Sequence, residues 1–407
     1  MLGSDPPSMS LEMSSNRIPG APPDMGAKVF SMNTCVVLGA GASLANALHF
    51  HKQRFRDLRP PLDTTFFETV DARNINLSPW IRAYLRDFLG IDPIQSTLRE
   101  HRMEEVFKDV SYDFRETPDD KVALNAYIDL VDLYLRVLRE TTNWLCDPKR
   151  KGAPIGRLLD AAAKRSDKLT IITFNHDLVI ENEIERRKAL RSRWCLDEGY
   201  GSVSKDFTLV NPGDSAVPLF RIHGDGECDH DRPITLLKLH GSLNWVVRIN
   251  SQRPTSRFLK TGGGGGNIHL STRQRIESRE IMVRHGSGRT RWQLWPVVVP
   301  PIYAKQSMRA EIIQKAWIDA RSAIESADRM LFFGYSLPGL DVEAEKTVER
   351  SLLRNKHLKW VDVVNPAPSS AGRFASVSPS LPIRWYPALT DFLDADGFKT
   401  PDLEFPS

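Results

Sequence analysis

The chain has 407 residues, 41% apolar and 26% charged, a globular balance that excludes a wholly disordered or fibrous protein. Its 55 Lys and Arg against 51 Asp and Glu leave only +4, so the molecule as a whole is not a nucleic-acid polycation. No stretch approaches the ~18 apolar residues a membrane span needs, and the first residues lack the apolar run of a secretory signal.

Residues 1–31, rich in Ser, Pro, Met and Gly, predict a disordered tail. Order begins at Thr34–Leu38, a short apolar strand that runs into Gly39-Ala-Gly-Ala-Ser43 and then a helix to about Phe55. Residues 66–165 read as a helical subdomain. Ser78-Pro79 is a helix start, with Ser as cap and Pro at the first helical position. Apolar residues at three- and four-residue steps from Leu124 to Leu138 predict one long amphipathic helix over 121–144. A shorter helix is expected over 155–165. The period then changes. Leu169–Phe174, Ile234–Leu239, Pro296–Val299, Arg329–Phe333 and Leu358–Val364 read as strands apolar on both faces, as in a sheet covered by helices. Helices are expected over 307–326 and 342–354. This alternation predicts an α/β fold, a Rossmann-like doubly wound parallel sheet spanning 32–388, followed by a C-terminal tail at 389–407. Residues 247–292 depart from it. They carry ten Lys and Arg against two acids, and the run Gly262–Gly266, so they read as a basic flexible insertion. It is either a solvated flap or a contact surface for phosphates of a nucleic acid or dinucleotide, or for an acidic partner.

Cys35, Cys146, Cys195 and Cys228 are far apart and form no CxxC pair. The expectation is four reduced thiols in a cytoplasmic protein, without a disulfide framework or a four-cysteine zinc site. His223, Cys228 and His230 cluster in sequence, but their spacing matches no strong zinc pattern, and no metal is expected.

Five strand ends carry candidate chemistry. The turn Gly39–Ser43 has two glycines between strand and helix, which suits either a phosphate-binding turn or a plain helix start. Asn175 and Asp177 follow a strand, where polar residues face the ligand crevice of an open sheet or cap the next helix. His240 ends another strand and is either a base near neutral pH or structural. Phe333-Gly-Tyr-Ser-Leu-Pro-Gly-Leu-Asp341 is a further strand-to-helix turn, and Asn365-Pro366 ends the last strand.

Taken in this order, the GAGAS turn, N-x-D, the strand ending His240-Gly241, the GYSLP turn and Asn365-Pro366 resemble the sirtuin (silent information regulator) family. The resemblance covers about residues 33–367 and is greatest to the divergent bacterial branch that acts in antiviral defence. Pro60–Phe67, Met103–Phe107 and Val299–Lys305 are similar to further blocks of that branch. It implies that Gly39, Ala40, Gly41 and Ser43 hold the NAD pyrophosphate. Asn175 would orient the nicotinamide ribose and an attacking water, and Asp177 would contact the carboxamide or order that site. His240 would be the catalytic base. Gly334 and Ser336 would approach the phosphates or adenosine ribose, Asn365 the adenine ribose, and Asp63 would belong to the cofactor loop.

Deacylating sirtuins carry paired CxxC zinc ligands after the His-Gly motif, whereas this chain has no cysteine after Cys228. Phe174 stands where the family has glutamine. These departures favour cleavage of NAD itself, as a metal-independent NAD glycohydrolase and the effector of an antiphage, abortive-infection system that depletes NAD. The alternatives are a sirtuin-type deacylase or ADP-ribosyltransferase, a non-catalytic NAD or ADP-ribose sensor, and a DNA-acting protein using the 247–292 arginines. The resemblance also implies a homo-oligomer and a partner, a HerA-type translocating ATPase or an Argonaute. This chain has no GxxxxGK(S/T) motif of its own.

Overall fold

The computed structural model describes residues 32–50, 59–92, 97–117, 120–147, 149–210, 228–249, 268–271, 280–285, 288–300, 311–337 and 341–398. The expected tail at 1–31, the Gly262–Gly266 run and His223 lie outside them.

Six parallel strands form the main sheet: β1 (Asn33–Leu38), β2 (Lys168–Thr173), β4 (Ile234–Lys238), β9 (Arg329–Phe333), β10 (Val361–Val364) and β11 (Ile383–Tyr386), in the spatial order β4-β2-β1-β9-β10-β11. Ranked along the chain, that order is 3-2-1-4-5-6, the arrangement of a doubly wound Rossmann-like sheet. The chain enters the sheet at its centre, on β1, and grows first to one side and later to the other. Strand order therefore reverses between β1 and β9. The central strands are apolar on both faces because helices cover both. Val36, Leu38, Ile171, Leu236, Leu331 and Phe332 are fully buried.

Seven helices, α1 (Ala40–Phe50), α2 (Phe66–Ala72), α3 (Pro79–Leu89), α4 (Met103–Glu116), α5 (Lys121–Thr142), α6 (Pro154–Lys164) and α7 (Val179–Glu185), flank or extend the first three sheet strands. Ser78 caps α3 as its position before Pro79 predicts, accepting from the Ile81 amide at 3.2 Å, and Gly90 ends it at φ +65°. Asp120 caps α5, the long helix, which buries Ala123, Tyr127, Leu130, Val131, Tyr134 and Val137 on one stripe. Helices Glu311–Glu325, Val342–Arg354 and Pro368–Val377 precede or follow the later strands.

Three expectations are corrected. The basic segment 247–292 is not simply a flexible insertion. Its described residues pair as strands of a second sheet, built from β3 (Phe207–Val210), β5 (Gly241–Ile249), β6 (Ile268–Ser271), β7 (Glu280–His285) and β8 (Gly288–Val298), in the order β3-β6-β5-β8-β7. Charge counting along the segment says nothing of this pairing, which joins it to strands that begin outside it. Second, Pro296–Val299 is not a strand of the parallel sheet. It ends β8, antiparallel to β5, with Gly241 opposite Val298 and Ser242 opposite Val297. Third, the chain does not become a tail at 389. Helix Leu389–Asp394 and the residues after it return to the core, where Phe392 and Phe398 are buried edge to face, 5.0 Å apart.

Candidate functional site

Register sets the site. Leu38 lies opposite Thr173 and Phe333, Thr173 opposite Lys238, and Phe333 opposite Val364. These strands therefore end level. The residues that follow (Gly39, Phe174 and Asn175, Leu239 and His240, Gly334, Asn365) all emerge at the carboxyl edge of the sheet, with the reversal of strand order at Gly39 and Gly334. In an open α/β sheet this edge, at this point, is where ligands bind.

The two glycine turns touch. The Gly39 amide donates to Phe333 O at 3.1 Å and the Gly41 amide to Gly334 O at 3.0 Å. A Cβ on Gly39 would lie 2.5 Å from Gly334 O, and one on Gly41 2.8 Å from the same oxygen. Gly334, at φ +62°, would drive a Cβ into the Ala42 nitrogen. So the glycines allow two backbones to meet, and the Gly39 and Gly41 amides are both committed to the Phe333–Gly334 turn. Ala40 is exposed and Gly41 half-buried, leaving the outer side of the turn open among the described residues.

Beneath that turn lies a buried polar chain. The Asn175 carboxamide nitrogen donates to Gly39 O at 2.9 Å and to Ser43 Oγ at 3.1 Å. Ser43 Oγ donates to Asp177 Oδ2 at 2.8 Å, and Asp177 Oδ1 accepts from the Val179 amide at 3.0 Å. Asn175, Ser43 and Asp177 thus form one unit, with the Asn175 orientation fixed by two acceptors. Its Oδ1 accepts no hydrogen bond among the described residues.

His240 stands at the next strand end. Its Nε2 lies 3.4 Å from Asp341 Oδ2, while Asp341 Oδ1 accepts from the Ala344 amide at 3.3 Å and so caps helix Val342–Arg354. The imidazole ring sits 5.2 Å from Phe174 and 6.1 Å from His176, the neighbours of Asn175 on either side, and 6.1 Å from Trp317. Phe174 in turn stacks on Tyr335 at 4.5 Å. An aromatic wall therefore stands beside His240, and Tyr134 of α5 closes it against His176 at 5.6 Å. Burial pushes the Tyr335 phenol well above its ordinary range, so it stays protonated.

The remaining candidates are placed differently. Gly334 belongs to the turn contact, and Ser336, two residues on, is exposed. Asp63 is engaged at the start of α4, where it accepts from the Glu104 amide at 2.8 Å and pairs with Arg102. Asn365 Oδ1 accepts from the Ala367 amide at 2.9 Å, a turn that leads into helix Pro368–Val377. Asp341, Tyr335 and Trp317 were not singled out by sequence. Asp341 reads locally as nothing more than a helix cap, and only the fold brings it to His240.

Elsewhere Cys195 and Cys228 form a disulfide with Cα atoms 5.8 Å apart, which corrects the expectation of four reduced thiols; Cys35 and Cys146 are buried and lie outside this bridge. A separation of 33 residues gave no local signal, and the fold closes the loop. No described helix is long and apolar enough to cross a membrane. No protein-family model and no curated protein matches the chain.

Proposed function

We propose that the chain is an NAD glycohydrolase of sirtuin-like type, releasing nicotinamide and ADP-ribose. One observation carries the reading. The glycine turn, the Ser43–Asn175–Asp177 chain and the His240–Asp341 pair meet at the carboxyl edge of the sheet, where strand order reverses. That edge receives dinucleotides in sheets of this order.

Nicotinamide leaves NAD as a neutral base from a cationic ring, so the glycosidic bond breaks through an oxocarbenium-like state. The enzyme must hold the ribose and deliver water to one face. Asn175 has both amide hydrogens committed to protein, which points Oδ1 outward as an acceptor for a water or ribose hydroxyl. His240 takes the proton, and the Asp341 carboxylate beside its Nε2 holds the ring and stabilises the imidazolium that results. Phe174, Tyr335 and Trp317 supply an apolar wall that limits access by bulk water. NAD is the substrate, and these steps route no proton through a metal.

On the same reading the chain is a cytoplasmic defence effector that works as a homo-oligomer, restrained until a translocating ATPase or Argonaute partner engages it. Chromatography of NAD incubated with the chain, alone and with co-expressed partner, tests this. Release of nicotinamide and ADP-ribose is expected, falling ~10²–10⁴-fold in His240→Ala and strongly in Asn175→Ala. Stoichiometric NAD binding without nicotinamide would mean a sensor instead. Full turnover in His240→Ala would overturn the assignment.

A further inference from the structure

We infer that Cys195, Glu198, Cys228 and His230 form a zinc-binding site when the protein is reduced, and that the disulfide replaces the metal on oxidation. The inference is independent of the NAD reading. The two sulfurs and a His230 ring nitrogen all lie within 4.8 Å of one another. Glu198 stands just outside that cluster, with its Oε2 3.9 Å from His230 Nδ1, and would complete the set by turning its exposed side chain inward. Tetrahedral zinc, with ligands at ~2.0–2.3 Å, sets its donor atoms roughly 3.3–3.8 Å apart. The sulfurs, joined in the oxidised form, would take up that spacing by side-chain rotation once the bridge is reduced.

The two ligand pairs come from two short segments with fitting spacings. Cys195 and Glu198 are three residues apart, at the start and in the body of the single helical turn Leu196–Gly199. The turn is closed by the Gly199 amide on Cys195 O at 2.5 Å and by Trp194 Nε1 on Gly199 O at 2.9 Å. Cys228 and His230 are two residues apart. The Asp229 amide donates to Ser192 O and the Ile234 amide to Arg193 O, both at 2.7 Å. Arg193 ties the same region down with bonds to Ala163 O at 2.7 Å and Ser166 O at 3.0 Å. The segments are therefore held together by more than the sulfur bridge, and the cradle survives its reduction. Cys195 is buried, while the His230 and Glu198 side chains are 44% and 56% exposed, which leaves the metal a way in.

The donor set selects the metal. Two thiolates and an imidazole suit zinc, not magnesium or calcium, which take oxygen ligands. The redox step balances with a thiol reductant. A dithiol gives two electrons and two protons to the Cys195–Cys228 bond and is itself oxidised to a disulfide. Each freed thiol then loses its proton to solvent as its sulfur binds Zn²⁺. In a reducing compartment the pair exists as thiols, so the metal form would be the resident one there.

Full-length protein, reduced with a non-chelating phosphine under metal-free conditions, is titrated with Co²⁺ and then Zn²⁺. One cobalt per chain is expected, with thiolate charge transfer and the visible band of tetrahedral cobalt, both abolished by zinc. Zinc should also remove two thiols from those that react with Ellman's reagent. Cys35 should not interfere, since burial pushes its thiol up to about 12. Cys228→Ser should lose the charge-transfer band. His230→Ala, at an exposed position, should weaken binding by on the order of tenfold to a hundredfold. Unreduced protein should take up no cobalt. Reduced wild-type protein with both thiols free and no charge-transfer band would overturn the inference. So would unchanged binding in His230→Ala, which remains decisive if Cys228→Ser does not fold.

Discussion

Asp341 does two things with one carboxylate: one oxygen caps a helix and the other lies against His240. Asparagine caps helices about as well as aspartate but carries no charge. Asp341→Asn should therefore leave the melting temperature nearly unchanged while lowering NAD turnover by up to ~10⁴-fold, the price of an imidazolium without its counter-charge. Thermal unfolding and nicotinamide release, measured on one preparation, separate the two roles. Equal turnover in the variant would make the pair structural. His240 itself was legible, because a polar residue after an apolar strand is visible in a short window. Its partner, 101 residues away, was not.

At the scale of elements, β4 and α7 are joined by a fully buried ion pair. Lys238 Nζ lies 2.8 Å from Glu181 Oε1 and also bonds Asp177 O, so it ties the strand that leads into His240 to the loop carrying Asn175. Burial raises the Glu181 carboxyl above its ordinary range, and Lys238 works against that rise. Tyr200 adds a hydrogen bond to the same Glu181 oxygen at 3.3 Å and accepts from Asn244 at 3.2 Å. Lys238→Met alone would leave Glu181 buried without its cation, a loss of about 3–5 kcal/mol in urea unfolding. The double variant Lys238→Met/Glu181→Leu should recover much of it, because neither charge then remains to be desolvated. If the double variant were as unstable as the single one, the pair would matter through Asp177 O rather than through charge. The sequence shows Lys238 only as an interruption in an apolar strand, and nothing local names Glu181 as its partner.

Over the whole molecule, the central strand depends on both ends of the chain. β1 pairs with β2, whose register partner for Leu38 is Thr173, and with β9, whose partner is Phe333. A chain ended after residue 300 would lose β9, β10 and β11 together, leave one backbone edge of β1 unpaired and remove the Gly334 turn behind Gly41. Such a fragment should show no cooperative thermal transition and no native near-ultraviolet circular dichroism. A cooperative transition would mean that the first half of the sheet folds alone.

Apolar strands, helix caps and polar strand ends were readable because each is set by neighbours within a few residues: backbone propensity, side-chain period and the unpaired amides of a helix start. From these the sequence determined an α/β chain with chemistry-bearing strand ends. Tertiary structure decided which ends lie side by side. The 3-2-1-4-5-6 order, the second sheet in the basic segment, the Asp341 contact and the Cys195–Cys228 bridge all depend on pairing between residues far apart in the chain. Such pairings are settled by the packing of the whole core, where each strand's register is fixed by the apolar surface it must bury, and no short window of sequence contains that information.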